Sequence, residues 1–235
     1  MHGMRFDVIT LFPEIIESYC AASIVGRAQH EKIIAVKAHN LRVYGEGRHQ
    51  QVDDKPYGGG AGMILKAGPI ITCVDTILKR GERAITKTIL FSAKGKPFTH
   101  RLAVRLSKHY QRLILICGRY EGIDERVKAI MKAEEVSLGP YVLTDGDIPA
   151  LAVISAVTRL LPGVITLASL VEESFSSHQR KKGRNATLEY PHYTRPEALT
   201  YKGRNYRVPK VLLSGNHRAI EGWRETHRSA ARKSK

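Results

Sequence analysis

The sequence predicts an α/β fold with a mostly parallel sheet, followed by a small, basic and mainly helical domain. Short apolar runs bounded by charge or glycine, such as residues 113–117 (LILIC), are typical of strands buried in a parallel sheet. Segments with helical hydrophobic spacing separate these runs, as in βαβ units. The chain has 235 residues, of which 43% are hydrophobic, so it can bury one large core or two smaller ones.

The first elements follow one another closely. We expect a strand over residues 5–11, and a helix from Glu14, because Pro13 is well suited to a helix start. A second strand is expected over residues 32–37 (KIIAVK). Apolar residues at helical spacing then predict a helix over residues 69–79.

A strand–helix–strand pattern occupies the middle of the chain. Strand 88–91, an amphipathic helix over 98–110 and strand 113–117 form a βαβ unit, which places the two strands parallel. The loop after residue 91 therefore lies where such sheets bind ligands, beyond the carboxyl ends of the strands. A later helix is expected over residues 147–161.

The cysteines and the hydropathy exclude several classes of protein. Cys20, Cys73 and Cys117 are too far apart for metal-ligand pairs and odd in number, so we expect reduced, structural thiols. The ten histidines have no metal-ligand spacing. No stretch approaches the ~20 apolar residues of a membrane span, and the amino terminus lacks a signal layout. We expect a cytoplasmic protein that does not enter a membrane.

Two glycine-containing stretches flank one short segment. Residues 118–126 (GRYEGIDER) combine two glycines, an aromatic residue and five charged residues. Residues 137–150 (SLGPYVLTDGDIPA) surround a short, apolar, strand-like piece with glycine and proline. Glycines allow a ligand to approach backbone groups closely, which suits the binding of a planar heterocycle. The alternative is that both stretches are ordinary turns of an α/β domain.

A third glycine-rich stretch, residues 52–63 (VDDKPYGGGAGM), superficially resembles a phosphate-binding loop. Met63 and Ile64 stand where a Walker A motif requires Lys and then Ser or Thr, which disfavours nucleotide hydrolysis. A flexible turn is the alternative interpretation.

Positive charge is concentrated towards the carboxyl terminus. The net charge is +16, and residues 178–235 carry 15 Lys and Arg against four Asp and Glu, which accounts for +11. This distribution favours a polyanionic partner. We expect a main domain over residues 1–168, a linker over 169–185 and a short basic domain over 186–235.

Aromatic residues alternate with arginines in this basic domain. Unpaired RNA bases stack on aromatic rings while guanidinium groups bind phosphates, so the mixture suits single-stranded RNA. The alternative is that the rings form the core of a small domain. The residues concerned are Tyr190, His192, Tyr193, Tyr201, Tyr206 and Trp223, with Arg195, Arg204 and Arg207.

Five sequence motifs of this chain, three of them described above, occur in the same order along the chain in one known family. GRYEGIDER, SLGPYVLTDGDIPAL, VDDKPYGGGAGM, PHYTRP and VLLSGNH resemble the bacterial tRNA (guanine-N1)-methyltransferases. The resemblance implies a SPOUT-type methyltransferase domain with a trefoil knot, and a homodimer with each active site at the subunit interface. It also implies methyl transfer from S-adenosylmethionine to N1 of the guanosine immediately 3′ of the tRNA anticodon. Mg²⁺ is a further cofactor candidate, without an identified site.

The resemblance also implies the catalytic residues. N1 of neutral guanine carries a proton, so the reaction needs a base, and a cation near O6 would stabilise the charge that develops there. The family's aspartate corresponds to Glu173, which keeps the carboxylate but adds a methylene group; the adjacent Glu172 is the alternative. The family's arginine corresponds to Arg159. The alternative for Arg159 is a structural role, because a cation near the C-terminal end of a helix interacts favourably with the helix dipole.

The remaining site residues are likewise implied by the resemblance. Asp145 departs from the family, which often has glycine there, and Leu138, Leu143 and Pro149 could be structural only. Tyr57 and Asp54 are expected to help hold the base. The expected cofactor-binding residues are Ser92, Gly118, Arg119, Tyr120, Glu121, Gly122, Ser137, Leu138, Gly139, Tyr141, Leu143, Gly146 and Pro149. The expected substrate-binding residues are Asp54, Tyr57, Ser174, His192, Tyr193 and Arg195.

Two other classes of protein fit the sequence less well. A non-catalytic RNA-binding protein would explain the basic domain but would leave the glycine loops without a use. A dinucleotide-dependent oxidoreductase would need GxGxxG after the first strand, and DVITLFPEII contains no glycine. Binding of the cofactor distinguishes the first alternative from a methyltransferase.

Overall fold

The computed structural model describes residues 3–78, 82–166, 169, 174 and 189–228. The chain divides into two compact units, Met1–Ile165 and Thr166–Lys235. Of the linker expected over residues 169–185, only Ser169 and Ser174 are described. In chain order, the first unit contains β1 (Met4–Thr10), α1 (Pro13–Cys20), α2 (Ser23–His30), β2 (Ile34–Asn40), β3 (Asp53–Asp54), β4 (Ile64–Leu65), α3 (Ala67–Ile77), β5 (Thr86–Pro97), α4 (His100–His109), β6 (Arg112–Ile116), α5 (Glu125–Met131), β7 (Glu134–Ser137) and α6 (Asp147–Thr158), with 3₁₀ turns at Leu41–Tyr44 and Glu82–Ile85.

A five-stranded parallel sheet forms the centre of the first unit. Its strand order is β2-β1-β6-β5-β7, and every pairing is parallel. The central strand β6 is buried along its whole length. In the register, Ile116 lies beside Ile9 on one side and Leu90 on the other. The carboxyl ends of β1 and β6 are therefore level with Leu90 of β5, just before the pairing of β5 becomes irregular at Phe91.

Helices cover both faces of this sheet. Leu113 and Leu115 of β6 belong to a core formed with α1, α2, α4 and α6, whereas Ile114 and Ile116 belong to a second core formed with α3 and α5. This division follows from the alternation of side chains along a strand. It also explains why the strand is a continuous apolar run, because neither face meets water.

The sheet holds one cluster of charges in its interior. The buried carboxylate of Asp7 on β1 accepts hydrogen bonds from Arg5 Nε at 2.9 Å and from His39 Nε2 of β2 at 2.7 Å. Arg112 Nε of β6 lies 3.2 Å away from it. Burial raises the pKa of Asp7, but the hydrogen bonds from His39 and Arg5 outweigh it, and the pKa lies below the ordinary value. One carboxylate thus joins three neighbouring strands.

Most of the expected elements are confirmed. The strands expected over 5–11, 32–37, 88–91 and 113–117, the helix starting at Pro13, and the helices over 69–79, 98–110 and 147–161 all have counterparts. The strand-like piece expected within residues 137–150 was wrong, because residues 138–146 are irregular and the strand β7 precedes them. β5 continues past Phe91 to Pro97 with an irregularity in its pairing between Phe91 and Lys96.

The second unit is described over residues 189–228, together with Thr166, Ser169 and Ser174. It contains a hairpin of β8 (Ala198–Tyr201) and β9 (Arg204–Arg207), followed by the helices α7 (Lys210–Leu213) and α8 (His217–Thr226). Tyr190 is buried. The guanidinium carbons of Arg224 and Arg228 lie 4.9 and 5.3 Å from the centre of its ring. Trp223 stacks on His227 with the ring centres 4.1 Å apart. Some of the aromatic residues of this unit therefore pack within it.

Candidate functional site

A cavity of about 290 Å³ opens at the carboxyl ends of β5, β6 and β7. Its walls come from the irregular part of β5, the loops that follow β6 and β7, and the start of α5. Such a position at the strand ends is typical of ligand sites in parallel sheets. Twelve of the thirteen residues expected to bind the cofactor line it, and Gly139 is the exception. The twelve are Ser92, Gly118, Arg119, Tyr120, Glu121, Gly122, Ser137, Leu138, Tyr141, Leu143, Gly146 and Pro149.

One side of the cavity is formed by backbone in close contact. Gly146, which precedes α6, donates its N–H to the carbonyl of Gly118 at 2.9 Å. A Cβ at Gly146 would lie 2.6 Å from Cys117 Cα and 2.6 Å from Gly118 N. Only glycine fits there, because real side chains do not approach backbone this closely. The two glycine-containing loops recognised in the sequence are thus packed directly together.

The loop after β6 turns sharply along the cavity wall. Gly122 N–H donates to Arg119 O at 3.0 Å, and Tyr120 and Gly122 both have positive φ, at 56° and 131°. A Cβ at Gly122 would meet no atom within 4 Å. This glycine therefore leaves open space beside the backbone, where a ligand can approach the chain.

The glycine-rich stretch 52–63 is joined to this same loop. Leu65 N–H donates to Gly122 O at 3.0 Å, and Glu121 N–H donates to Met63 O at 3.1 Å. A Cβ at Gly62 would lie 2.6 Å from the side chain of Glu121. The third sequence motif therefore lies directly beside the cavity wall.

The tip of that stretch is open to solvent. The antiparallel pair β3–β4 closes its base, and Gly58, Gly59, Gly60 and Gly62 all have positive φ. Tyr57 is 100% exposed. Asp54 Oδ2 lies 3.6 Å from Lys66 Nζ. Tyr57 and Asp54, both expected to hold the base, therefore flank an exposed glycine turn next to the cavity.

Four charged residues along the cavity wall alternate in sign. Lys128 Nζ lies 2.7 Å from Glu135 and 3.4 Å from Glu125, while Lys94 Nζ lies 3.1 Å from Glu125 and 3.8 Å from Glu135. Burial raises the pKa of Glu135, but hydrogen bonds from Lys128 and Ser92 outweigh it, so that the pKa is lowered. Each of these four charged side chains therefore has partners of opposite charge within the wall.

None of these four was among the residues expected to bind the cofactor. Lys128 and Glu135 were missed because the sequence analysis did not identify α5 or β7. A signal for α5 was present in the sequence. Asp124 precedes the helix and accepts a hydrogen bond from Arg126 N–H at 3.0 Å, as an N-cap residue does. Asp before a run of good helix formers predicts such a start.

Beneath the cavity, polar groups are buried at the junction of β1, β6 and α6. Thr10 Oγ1 donates to Asp147 Oδ1 at 2.6 Å, and Asp147 is 1% exposed. Burial raises the pKa of Asp147, and burial likewise raises the pKa of the Cys117 thiol well above its ordinary value. Cys117 is therefore a neutral thiol; it is buried and free, as are Cys20 and Cys73. This confirms the structural role predicted for the cysteines.

Comparison with known proteins identifies the family. The sequence model of the family described as tRNA (Guanine-1)-methyltransferase TrmD matches residues 4–235. The chain belongs to this family. The tRNA (guanine-N(1)-)-methyltransferase of Thermomicrobium roseum is 46% identical over 233 residues, covering 98% of this chain and 82% of that protein. The proteins of the same name from Carboxydothermus hydrogenoformans and Ruminiclostridium cellulolyticum are each 46% identical, covering 94% of this chain and 81% and 89% of their own lengths.

Within one chain of this family member, the expected catalytic arginine lies far from the cavity. Arg159 is the C-cap of α6, whereas Gly146 at the cavity is the N-cap of the same helix. The twelve residues of α6 lie between the two, which separates them by about 20 Å along the helix axis. Arg159 is absent from the cavity lining. Glu173, the expected base, and Glu172, its alternative, lie outside the described residues.

The other expected substrate residues belong to the second unit. Ser174 and Glu189 exchange two hydrogen bonds of 3.0 and 3.1 Å. His192 Nε2 lies 3.4 Å from Glu189, and Tyr193 meets Trp223 edge-on with the ring centres 6.2 Å apart. Arg195 is exposed. These residues remain predictions as substrate contacts.

Proposed function

We propose that the chain transfers a methyl group from S-adenosylmethionine to N1 of the guanosine immediately 3′ of the anticodon in tRNA. The main support is the cavity at the strand ends, which gathers twelve of the thirteen residues expected to bind the cofactor. The relatives are named as tRNA (guanine-N(1)-)-methyltransferases, which supports the same reaction.

The cavity suits a nucleoside-containing cofactor. Its volume of about 290 Å³ is close to the lower end of the ~300–1,000 Å³ of small-molecule sites. The open space at Gly122 and the backbone groups of the glycine loops can accept a planar ring. S-adenosylmethionine supplies an activated methyl group on a positively charged sulfur. The cavity lining contains five carboxylates against three basic side chains, and this balance favours a positively charged ligand.

The acceptor requires two further groups. Glu173 is proposed to accept the N1 proton of guanine, which leaves a nitrogen lone pair able to take the methyl group. Arg159 is proposed to stabilise the negative charge that develops on O6 as that proton leaves. A carboxylate and a guanidinium are the smallest set that meets both requirements.

A second copy of the chain is proposed to complete the site. Arg159 lies about 20 Å from Gly146 along one helix, which is too far for both to contact the same reacting atoms. A symmetric homodimer with each active site at the subunit interface brings the arginine of one copy towards the cavity of the other. The trefoil knot is part of the same proposal, carried over from the family resemblance.

The remaining proposals concern the setting of the reaction. The basic second unit is proposed to hold the tRNA, and the protein is proposed to act in the cytoplasm. No described helix is long and apolar enough to cross a membrane. Among the described residues, no three His, Cys, Asp or Glu side chains are grouped so as to hold a metal ion. We therefore assign no residues to Mg²⁺.

Methyl transfer from radiolabelled S-adenosylmethionine to unmodified tRNA tests the proposed function. We expect label in tRNA with guanosine 3′ of the anticodon and none in the same tRNA with adenosine there. S-adenosylmethionine should also raise the melting temperature with ligand excess, whereas NAD and ATP should not. A protein that binds tRNA but neither takes up S-adenosylmethionine nor transfers label would instead be a non-catalytic RNA-binding protein.

A further inference from the structure

The β8–β9 hairpin of the second unit has two chemically different faces. Its register pairs Leu199 with Tyr206 and Tyr201 with Arg204, and side chains of such pairs lie on the same face of an antiparallel ladder. We call these four residues the aromatic face. The opposite face carries Ala198, Thr200, Asn205 and Arg207, among which Thr200 and Asn205 are hydrogen-bonded to each other.

The aromatic face is open to solvent. Leu199, Tyr201 and Tyr206 are 58%, 62% and 55% exposed, and all eight strand residues of the hairpin are exposed. A two-stranded hairpin that buries neither face is only marginally stable in water. Large apolar side chains that share an exposed face mark an interaction surface more often than isolated ones do.

Positive charge accompanies these rings. Residues 198–210 contain Lys202, Arg204, Arg207 and Lys210 and no acidic residue. Lys202 Nζ lies 5.4 Å from the centre of the Tyr201 ring. Exposed aromatic rings with cations beside them are the combination that binds single-stranded nucleic acids, since bases stack on the rings and the cations contact phosphates.

We propose that the aromatic face binds unpaired nucleotides of the tRNA substrate, with bases stacked on Tyr201 and Tyr206 and phosphates held by Lys202 and Arg204. The identity of the RNA rests on the proposed function, whereas the stacking itself rests on the hairpin. A second copy of this chain fits the face less well, because two such faces in contact would bring Lys202 and Arg204 of each copy together.

Replacement of the tyrosines in the full-length protein tests the stacking. Tyr201→Leu and Tyr206→Leu keep an apolar side chain but remove the ring, so each should raise the Kd for tRNA about 10-fold. Tyr201→Phe and Tyr206→Phe should stay near wild type because the ring remains. Unchanged tRNA affinity in both leucine variants would overturn the proposal.

A pair of arginines on opposite faces provides a matched control. Arg204→Gln should weaken tRNA binding and lower the slope of log Kd against log salt by about one, as loss of one phosphate contact does. Arg207→Gln removes the same charge from the other face of the hairpin and should change the slope less. Equal effects of the two variants would show that only net charge matters and would contradict a specific face.

Two further measurements compare binding to unpaired and duplex RNA, and the oligomeric state of the protein. The leucine variants should lose affinity for an unpaired loop but not for duplex RNA of the same length, because paired bases cannot stack on the rings. A change in sedimentation with unchanged RNA binding would assign the face to a protein contact and overturn the proposal. Because RNA affinity is measured without methyl transfer, failure of the proposed reaction in the wild-type protein would be seen separately.

Discussion

Thr10 at the end of β1 donates a buried hydrogen bond of 2.6 Å to Asp147 at the start of α6. The same hydroxyl accepts the N–H of Phe12 at 3.0 Å, so its bonding capacity is used in both directions. Asp147 directly follows Gly146, which packs against the loop after β6. This contact therefore fixes the helix that supports one side of the cavity.

Replacing Thr10 by Val should separate this hydrogen bond from packing. Thr10→Val keeps a similar shape but removes one donor from the buried carboxyl group of Asp147 and the acceptor of Phe12 N–H. This should lower the free energy of unfolding by about 1–3 kcal/mol. S-adenosylmethionine affinity should fall as well, because Gly146 is held less firmly. Urea unfolding and calorimetry measure the two effects. Thr76→Val makes the same exchange at an exposed site on α3 and should change the unfolding free energy by less than ~0.5 kcal/mol.

Gly146→Ala should damage the cavity through contact alone. The new Cβ would lie 2.6 Å from backbone atoms of Cys117 and Gly118, so β6 and α6 must separate. We expect a loss of about 1–3 kcal/mol in unfolding free energy and much weaker S-adenosylmethionine binding. Gly222→Ala is the control, since a Cβ there meets nothing within 4 Å and helix α8 should gain ~0.5–1 kcal/mol. Normal cofactor binding in Gly146→Ala would contradict the close packing.

The sequence predicted those strands whose residues are apolar because both faces of the strand are buried. β6 is a continuous apolar run because both of its faces are covered. β7 was missed because it begins with Glu134 and Glu135, which are not typical of a buried strand. Glu134 is neutralised by Lys87 at 3.0 Å and Arg105 at 2.7 Å, and these partners come from other elements. No local pattern could have revealed them.

The sequence predicted those parts of the candidate site that are formed by glycine-containing loops. Gly118, Gly122 and Gly146 were identified because their motifs are unusual, and they do line the cavity. The hydrogen bond from Leu65 N–H to Gly122 O has no local signal, since it joins distant parts of the chain. The same holds for Thr10 and Asp147, which are 137 residues apart.

Asp7→Asn should show a defined pH dependence. The pKa of Asp7 lies below its ordinary value of 3.8, so its ionised form stabilises the fold above that pH, and this contribution is lost as the pH falls through the folded-state pKa. At pH 7 the free energy of unfolding of the variant should be about 3 kcal/mol lower, because Arg5, His39 and Arg112 lose this buried carboxylate as a partner. Urea unfolding should find a smaller difference from wild type at pH 3. An equal difference at both pH values would contradict this assignment.

Mixed dimers should test whether Arg159 acts across subunits. Arg159→Ala and Gly146→Leu should each be inactive, for different reasons. Hybrid dimers would contain one site with both defects and one intact site, so random mixing should restore about a quarter of the wild-type rate. The measurement is methyl transfer after joint refolding, with each variant refolded alone as the control. No recovery on mixing would place Arg159 and the cavity of one chain in the same site.

Glu173 is expected to act in the chemical step and not in cofactor binding. Glu173→Gln removes the proposed base, so the single-turnover rate of methyl transfer should fall by ~10²- to 10⁴-fold, while S-adenosylmethionine affinity stays almost unchanged. Raising the pH should partly restore the rate, because guanine then loses its N1 proton to solvent. Arg159→Ala should be restored less, since it lacks stabilisation of the charge on O6 at every pH.

Glu172→Gln is the matched control for this prediction, since it makes the same change one residue earlier. We expect this variant to transfer methyl groups at close to the wild-type rate. If Glu173→Gln instead stays within about twofold of wild type, it is not the base. A large loss in Glu172→Gln that alkaline pH relieves would then assign proton removal to Glu172, because only loss of the base is compensated by ionisation of guanine itself.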